Sequence, residues 1–216
     1  MPNLHKLFSV VFFVLFSVLT AQIMSDDTGN WDYTGTWAGG VVPTQNDNVF
    51  ILSGHTVTVQ GSPTAEMMDL TINSGGILNA NVFFSTLDVY GNWTNNGTFT
   101  TGGWNTVTFK GNQNQLVKPG GDEFNDIVLS NTGTLAKTIA IFSNIDINNN
   151  LTFTMGILDL DTNDPAISIG GNVTISNGAV WTKGLGTVTF DGGTQNYNDQ
   201  NASPNNIGNV TVNEQE

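Results

Sequence analysis

Short alternations of apolar and polar residues run along most of the chain. In Thr106-Val107-Thr108-Phe109 the apolar side chains take one side of an extended strand and the two threonines the other. Val49-Phe50-Ile51-Leu52 and Thr56-Val57-Thr58-Val59 also read as strands, with Ser53-Gly54-His55 as the turn between them. From Met68 onward the strand centres fall near Ile72, Val89, Val107, Ile127, Ile147, Ile169, Val188 and Val210, at nearly even spacing. Turns such as Asn95-Asn96-Gly97, Pro119-Gly120-Gly121 and Asn177-Gly178 separate them, built from residues that tolerate sharp corners. Beyond the N-terminal segment no window carries a helical period. Strand, corner and strand again at roughly 20 residues is the pattern of one β-solenoid coil. The expectation is an all-β chain folded as a right-handed parallel β-helix. An antiparallel β-sandwich is the rival, because short strands punctuated by turns predict that fold too.

A longer internal similarity favours the solenoid. Gly76-Ile77-Leu78 is matched by Gly156-Ile157-Leu158, Gly91-Asn92 by Gly171-Asn172, and Thr106-Val107-Thr108-Phe109 by Thr187-Val188-Thr189-Phe190. The first two pairs share one offset, which slips by one position before the third pair, between strand segments where loops belong. A sandwich gives no reason for an in-order copy. In a solenoid the copy would correspond to about four coils. Residues 22–61 differ in texture and carry Trp31, Tyr33 and Trp37, so they are expected to form an N-terminal cap and first coil. Residues 62–216 are expected to be solenoid repeats. The last strand motif, Val210-Thr211-Val212, has an equivalent in Ile127-Val128-Leu129 that continues into a further coil, so the repeats are expected to run past Glu216 in a longer protein.

Residues 1–21 read as a secretory signal peptide. Lys6 and His5 give the positive start, Leu7 to Leu19 the apolar core, and Thr20-Ala21-Gln22 the cleavage region. The core is shorter than the ~20 apolar residues of a membrane span, and none follows it. The expected location is therefore secreted or on the outer cell surface. The chain carries 18 Asp and Glu against 5 Lys and no Arg, a formal net charge of −13. Nucleic acid is excluded as a partner, since phosphate contacts need clustered cations. There are no cysteines, which removes disulfides, thiol catalysis and Cys-based zinc sites. With 13 Phe and 5 Trp among dense β-branched residues, the low charge does not signal disorder.

Gly29-Asn30-Trp31, Thr36-Trp37-Ala38-Gly39-Gly40-Val41-Val42-Pro43 and Gly54-His55-Thr56-Val57-Thr58-Val59 resemble the opening module of large secreted bacterial surface proteins. Gly91-Asn92-Trp93-Thr94-Asn95-Asn96-Gly97 and Phe124-Asn125-Asp126-Ile127-Val128-Leu129 resemble their solenoid repeats. Those proteins have adhesin-like or pectin-lyase-like β-helices, and many leave by the type IX route. The resemblance implies an exported structural or adhesive scaffold without catalytic activity, whose partners would be cell-surface or extracellular glycans or proteins. Up to Glu216 the sequence contains no segment that resembles their C-terminal sorting domain.

The candidate chemistry is sparse. His55 is the one histidine after the signal peptide, so no His-based metal cluster forms, and it reads as a turn residue. Two acidic groups, Asp122/Glu123/Asp126 and Asp159/Asp161/Asp164, offer oxygen ligands on Gly/Asn-rich loops. Asp159, Asp161 and Asp164 are the metal candidates, with calcium the one cofactor they could take. Neither group matches a defined calcium loop, and solvated corners explain both as well. No catalytic residue is expected. A lyase would need cationic residues, and Lys110, Lys118, Lys137 and Lys183 are scattered. Thr-x-Thr pairs such as Thr98/Thr100 and Thr152/Thr154 suggest an ice-ordering array but do not recur at one register. Trp93, Trp104 or Trp181 could stack on sugar rings, a carbohydrate-binding reading weighed against core packing.

Overall fold

The computed structural model describes residues 21–132 and 138–213. The signal-peptide expectation, apart from Ala21, lies outside them, as do Lys137 and the acidic end of the chain. Among the described residues there is no α-helix, only a 3₁₀ turn at Thr34–Thr36.

The chain winds through about eight coils, each visiting three faces in the same order. The first coil carries β1 (Ala21–Met24) and β2 (Gly29–Asn30) on the first and second faces. The next three coils are complete. They run β3 (Asp47–Ile51), β4 (Thr56–Thr58), β5 (Ala65–Met67); then β6 (Leu70–Ile72), β7 (Ile77–Ala80), β8 (Thr86–Val89); then β9 (Trp93–Asn95), β10 (Thr98–Thr101), β11 (Thr106–Gly111). The fifth has β12 (Gln115–Lys118) and β13 (Asp126–Asn131), but its second face is reduced to one bridge from Phe124 to Ile147. Then follow β14 (Thr138–Ile141), β15 (Ile145–Ile147), β16 (Leu151–Met155); β17 (Ile157–Asp159), β18 (Ile167–Ile169), β19 (Val173–Ile175); and β20 (Val180–Thr182), β21 (Thr187–Phe190), β22 (Tyr197–Asp199). Strand β23 (Asn209–Val212) extends the second face. Every pairing between these strands is parallel, as a β-solenoid requires and a sandwich does not allow. A coil takes about 22 residues, the separation between Asn150 and Asn172 at equivalent corner positions.

The register corrects the expected meaning of the internal copy. Ile77 lies on β7 of the second face, and its match Ile157 on β17 of the first. Trp93 lies on the first face and its match Val173 on the third; Val107 lies on the third and Val188 on the second. The copies are offset by four coils less one face, so each copied strand lands one face away. The expected series of strand centres likewise changes face. Ile72 is on the first, Val89, Val107 and Ile127 on the third, and the remaining four on the second. The faces interchange because each asks the same of its sequence: apolar residues inward, polar residues outward, a tight corner between.

Inward Val, Ile and Leu form one continuous core, each contributing about 1.5–3 kcal/mol on burial. Where the second face breaks, aromatic rings fill the coil. Trp93 packs at 4.9 Å from Phe99 and 5.3 Å from Phe124, with Phe109 at 6.4 Å from Phe124. The indole N–H groups of Trp93 and Trp181 are buried without an acceptor among the described residues, so both serve as apolar bulk. At the N-terminal end, Trp31 and Trp37 are buried edge-to-face at 4.9 Å, and Trp37 Nε1 donates to Trp31 O at 2.7 Å.

Corners are held by side-chain ladders. Asp126 Oδ1 accepts from Asn150 N, Asn150 Oδ1 from Asn172 N, and Asn172 Oδ1 from Asn196 N, at 2.8–3.0 Å. A second ladder leads from Asp69 Oδ1 to Asn92 N and from Asn92 Oδ1 to Leu116 N. Each rung satisfies a backbone N–H where the sheet hydrogen bonds stop.

Candidate functional site

The corner between the second and third faces breaks the inward-packing rule with three large aromatic side chains in one place. Loop 81–85 follows β7 and loop 102–105 follows β10, one coil apart. Phe83 is 71% exposed, Phe84 66% and Trp104 59%. Phe84 lies 6.4 Å from Phe83 and 5.8 Å from Trp104 between ring centroids, tilted rather than stacked. The loop is clamped from both sides. A side chain at Gly61 would come within 2.5 Å of Phe83 O, and one at Gly102 would run into the Asn81 side chain. The backbone at Phe84 has φ of 58°, a left-handed conformation that costs a bulky L-residue roughly 1–2 kcal/mol.

A row of three neighbouring depressions, each sharing a lining residue with the next, forms a trough beside this corner. A depression of about 190 Å³ is lined by Asn81, Phe83, Gly102 and Trp104. Asn81 also lines the next, of about 390 Å³, together with Thr100, Thr101, Asp122 and Glu123. Gly121 and Asp122 then border a third, of about 310 Å³, with Asp146, Ser168 and Thr189. The last two open where the second face is interrupted in the fifth coil. Burial pushes the Asp146 carboxyl up from its ordinary value, and nearby Asp191 and Glu123 push it the same way. Ser168 Oγ donates to Asp191 Oδ2 at 2.5 Å. The trough therefore passes from aromatic to hydroxyl and amide to carboxylate, with no cationic side chain among the described residues that line it.

The residues singled out in the sequence are distributed differently. Trp93 and Trp181 are buried in the core, at 0% and 4% exposure; Trp104 alone of the three faces solvent. Asp122 Oδ2 accepts from Asn95 Nδ2 at 2.8 Å and Phe99 N at 2.7 Å, Glu123 Oε2 accepts from Asn148, and Asp126 belongs to the corner ladder. Asp159 accepts from Asp161 N, Thr162 N and the Thr162 hydroxyl, which closes its own turn. Asp164 Oδ1 accepts from Leu185 N in the next coil at 2.6 Å. Among the described residues no group of three His, Asp or Glu is gathered for a metal. The Thr-x-Thr pairs divide among faces, Thr98/Thr100 on the second and Thr152/Thr154 on the third. His55 Nδ1 meets Ser25 Oγ at 2.9 Å, and the same buried hydroxyl accepts from Leu52 N at 2.9 Å. That pair fastens the first coil to the second.

On the third face, Lys110 pairs with Asp88 and lies over the Tyr90 ring, 5.5 Å from its centroid. Burial raises the Tyr90 hydroxyl pKa against the lowering effect of Lys110. Sequence reasoning did not single out Phe83, Phe84, Asp146 or Asp191. The signal for the first two is a Phe-Phe pair placed in a turn rather than in strand alternation.

These features define a three-faced parallel β-solenoid with an exposed aromatic corner. The G8 domain model matches residues 36–150, and the chain belongs to that family. The matched region contains the aromatic corner and the aromatic filling of the fourth and fifth coils. No curated protein and no solved structure matches the chain.

Proposed function

We propose that this chain is a secreted or outer-surface solenoid with a structural and adhesive role, without catalytic activity and without a bound cofactor. The stacked coils make a stiff body, and the loops at one corner make its contact surface. The observation that carries this reading is the cluster of Phe83, Phe84 and Trp104, exposed together on a fold that otherwise turns most of its large apolar residues inward. Exposed aromatic groups of this kind mark interaction sites. The bacterial surface-protein resemblance and the signal-like start support export. The buried, backbone-tied Ser25 hydroxyl supports a fastening rather than a nucleophilic role for the Ser25–His55 pair.

Retention of protein-coated beads on polysaccharide gels, cell-wall preparations and extracellular protein films tests the reading. Wild-type beads are expected to be held on at least one of these surfaces. The Phe83→Ala/Phe84→Ala/Trp104→Ala variant is expected to lose that retention while still folding. Retention on none of them, or equal retention by the variant, would overturn it.

A further inference from the structure

The trough beside the aromatic corner carries a finer assignment, which rests on the adhesive reading above. We propose that its partner is an uncharged, hydroxyl-rich polysaccharide, with sugar rings against Phe84 and Trp104 and hydroxyls over Asn81, Thr100 and Asp122. The backbone at Phe84 is the first reason. Among the described residues, only Phe84 and Asp164 adopt a positive φ without being glycine. Asp164 is compensated by its bond to Leu185 N, and its position is fixed by the next coil. Phe84 makes no comparable hydrogen bond among the described residues: it is 66% exposed, and the two rings it meets, Phe83 and Trp104, are exposed themselves. Strain retained without burial points to a use outside the fold.

The ring geometry is the second reason. Phe84 and Trp104 meet at 45°, so neither covers the other's face. Flat apolar faces left open suit the C–H faces of sugar rings, while the indole edge keeps a donor. The wall beyond the rings is the third. Asn81 borders both the aromatic depression and the polar one, so a chain-like ligand passing along the trough touches rings and polar groups in turn. Asp122 Oδ2 and Glu123 Oε2 already accept from protein donors, and sugar hydroxyls can donate to the second oxygen of each carboxylate when water is displaced. An apolar protein or lipid surface would cover those second oxygens and offer them no donor. A polyuronate would bring its own carboxylates against theirs, on a chain of net charge −13.

Isothermal titration of the 22–216 chain tests this with neutral oligosaccharides, an oligouronate of equal length and a deacetylated amino-sugar oligomer. At least one neutral oligomer is expected to bind and the oligouronate not. Trp104→Ala and Phe84→Gly are each expected to weaken that binding by about tenfold or more, at a melting temperature that is unchanged or higher. Leu185→Ala, which removes an equally exposed apolar side chain outside the trough, is expected to change nothing. No neutral binding overturns the assignment, as does equal or tighter binding of either charged oligomer, or neutral binding unmoved by Trp104→Ala. Beads that depend on the aromatic corner for retention, from a protein that binds no neutral oligomer, would leave the adhesive reading standing and remove this one.

Discussion

The Asp146 carboxyl lies partly buried at the acidic end of the trough, facing Asp191 and Glu123. Burial and those two charges raise its pKa in the folded state, so the folded chain holds its proton more tightly than the unfolded chain does. Stability linked to this group is therefore present at acidic pH. It is lost as pH rises from the ordinary carboxyl value of 3.8 through the raised folded value. Asp146→Asn is expected to raise the melting temperature at neutral pH and to remove part of its decline above pH 4; thermal melts across a pH series check this. Asp199 is opposite in sign. Against its desolvation, hydrogen bonds from Asn205 and Asn201 hold its pKa well below the ordinary value, so its contribution is lost as pH falls below about 4. Neither group stands out in the sequence. The charges around Asp146 come from other coils, and Asp199 gains its donors only when the turn after β22 folds back on it. Trp93, Trp104 and Trp181 read alike in the sequence, and only the fold separates the two core rings from the exposed one, while Phe83 and Phe84 were not legible as a surface. A phenylalanine in a turn reads like any other until the neighbouring coil shows whether it is covered.

At the level of strands and corners, alternation located the strands and glycine located the corners. The coil length read from the strand spacing was close to the observed one. Which face a strand joins was not legible, because all three faces carry the same inward and outward pattern. The corner ladders explain the abundance of asparagine that composition alone leaves open. Asn150 donates through its backbone N and Nδ2 to Asp126 Oδ1 and offers Oδ1 to Asn172 N. Asn150→Ala is expected to cost about 1–2 kcal/mol, since the Nδ2 and Oδ1 bonds are lost and each contributes roughly 0.5–1.5 kcal/mol. Urea unfolding measures it, and a cost near zero would show that the ladder follows the sheets rather than holding them. The clamped loop is an element of the same kind. Gly61→Ala would press on Phe83 O and is expected to displace the aromatic pair and weaken bead retention without removing either ring.

The molecule as a whole is a parallel stack of coils with one chemically distinctive corner. Parallel stacking spreads stability over many equivalent neighbour contacts, so local changes at an exposed loop leave the rest of the rod intact. Asp159 and Asp164 hold turns and coils through backbone donors, which is why the melting temperature is expected to be the same in excess calcium and in chelator. A calcium-dependent rise would instead assign the 159–164 loop to the ion. The measurement that bears most directly on the central claim pairs a melt with an adhesion assay on one variant, Phe84→Gly. Glycine relieves the left-handed backbone and removes the ring. If the ring is kept for contact with a partner, the variant melts at the same temperature or higher and its beads are no longer retained. A fall of several degrees with retention unchanged would mean that Phe84 serves the fold, and would contradict the account.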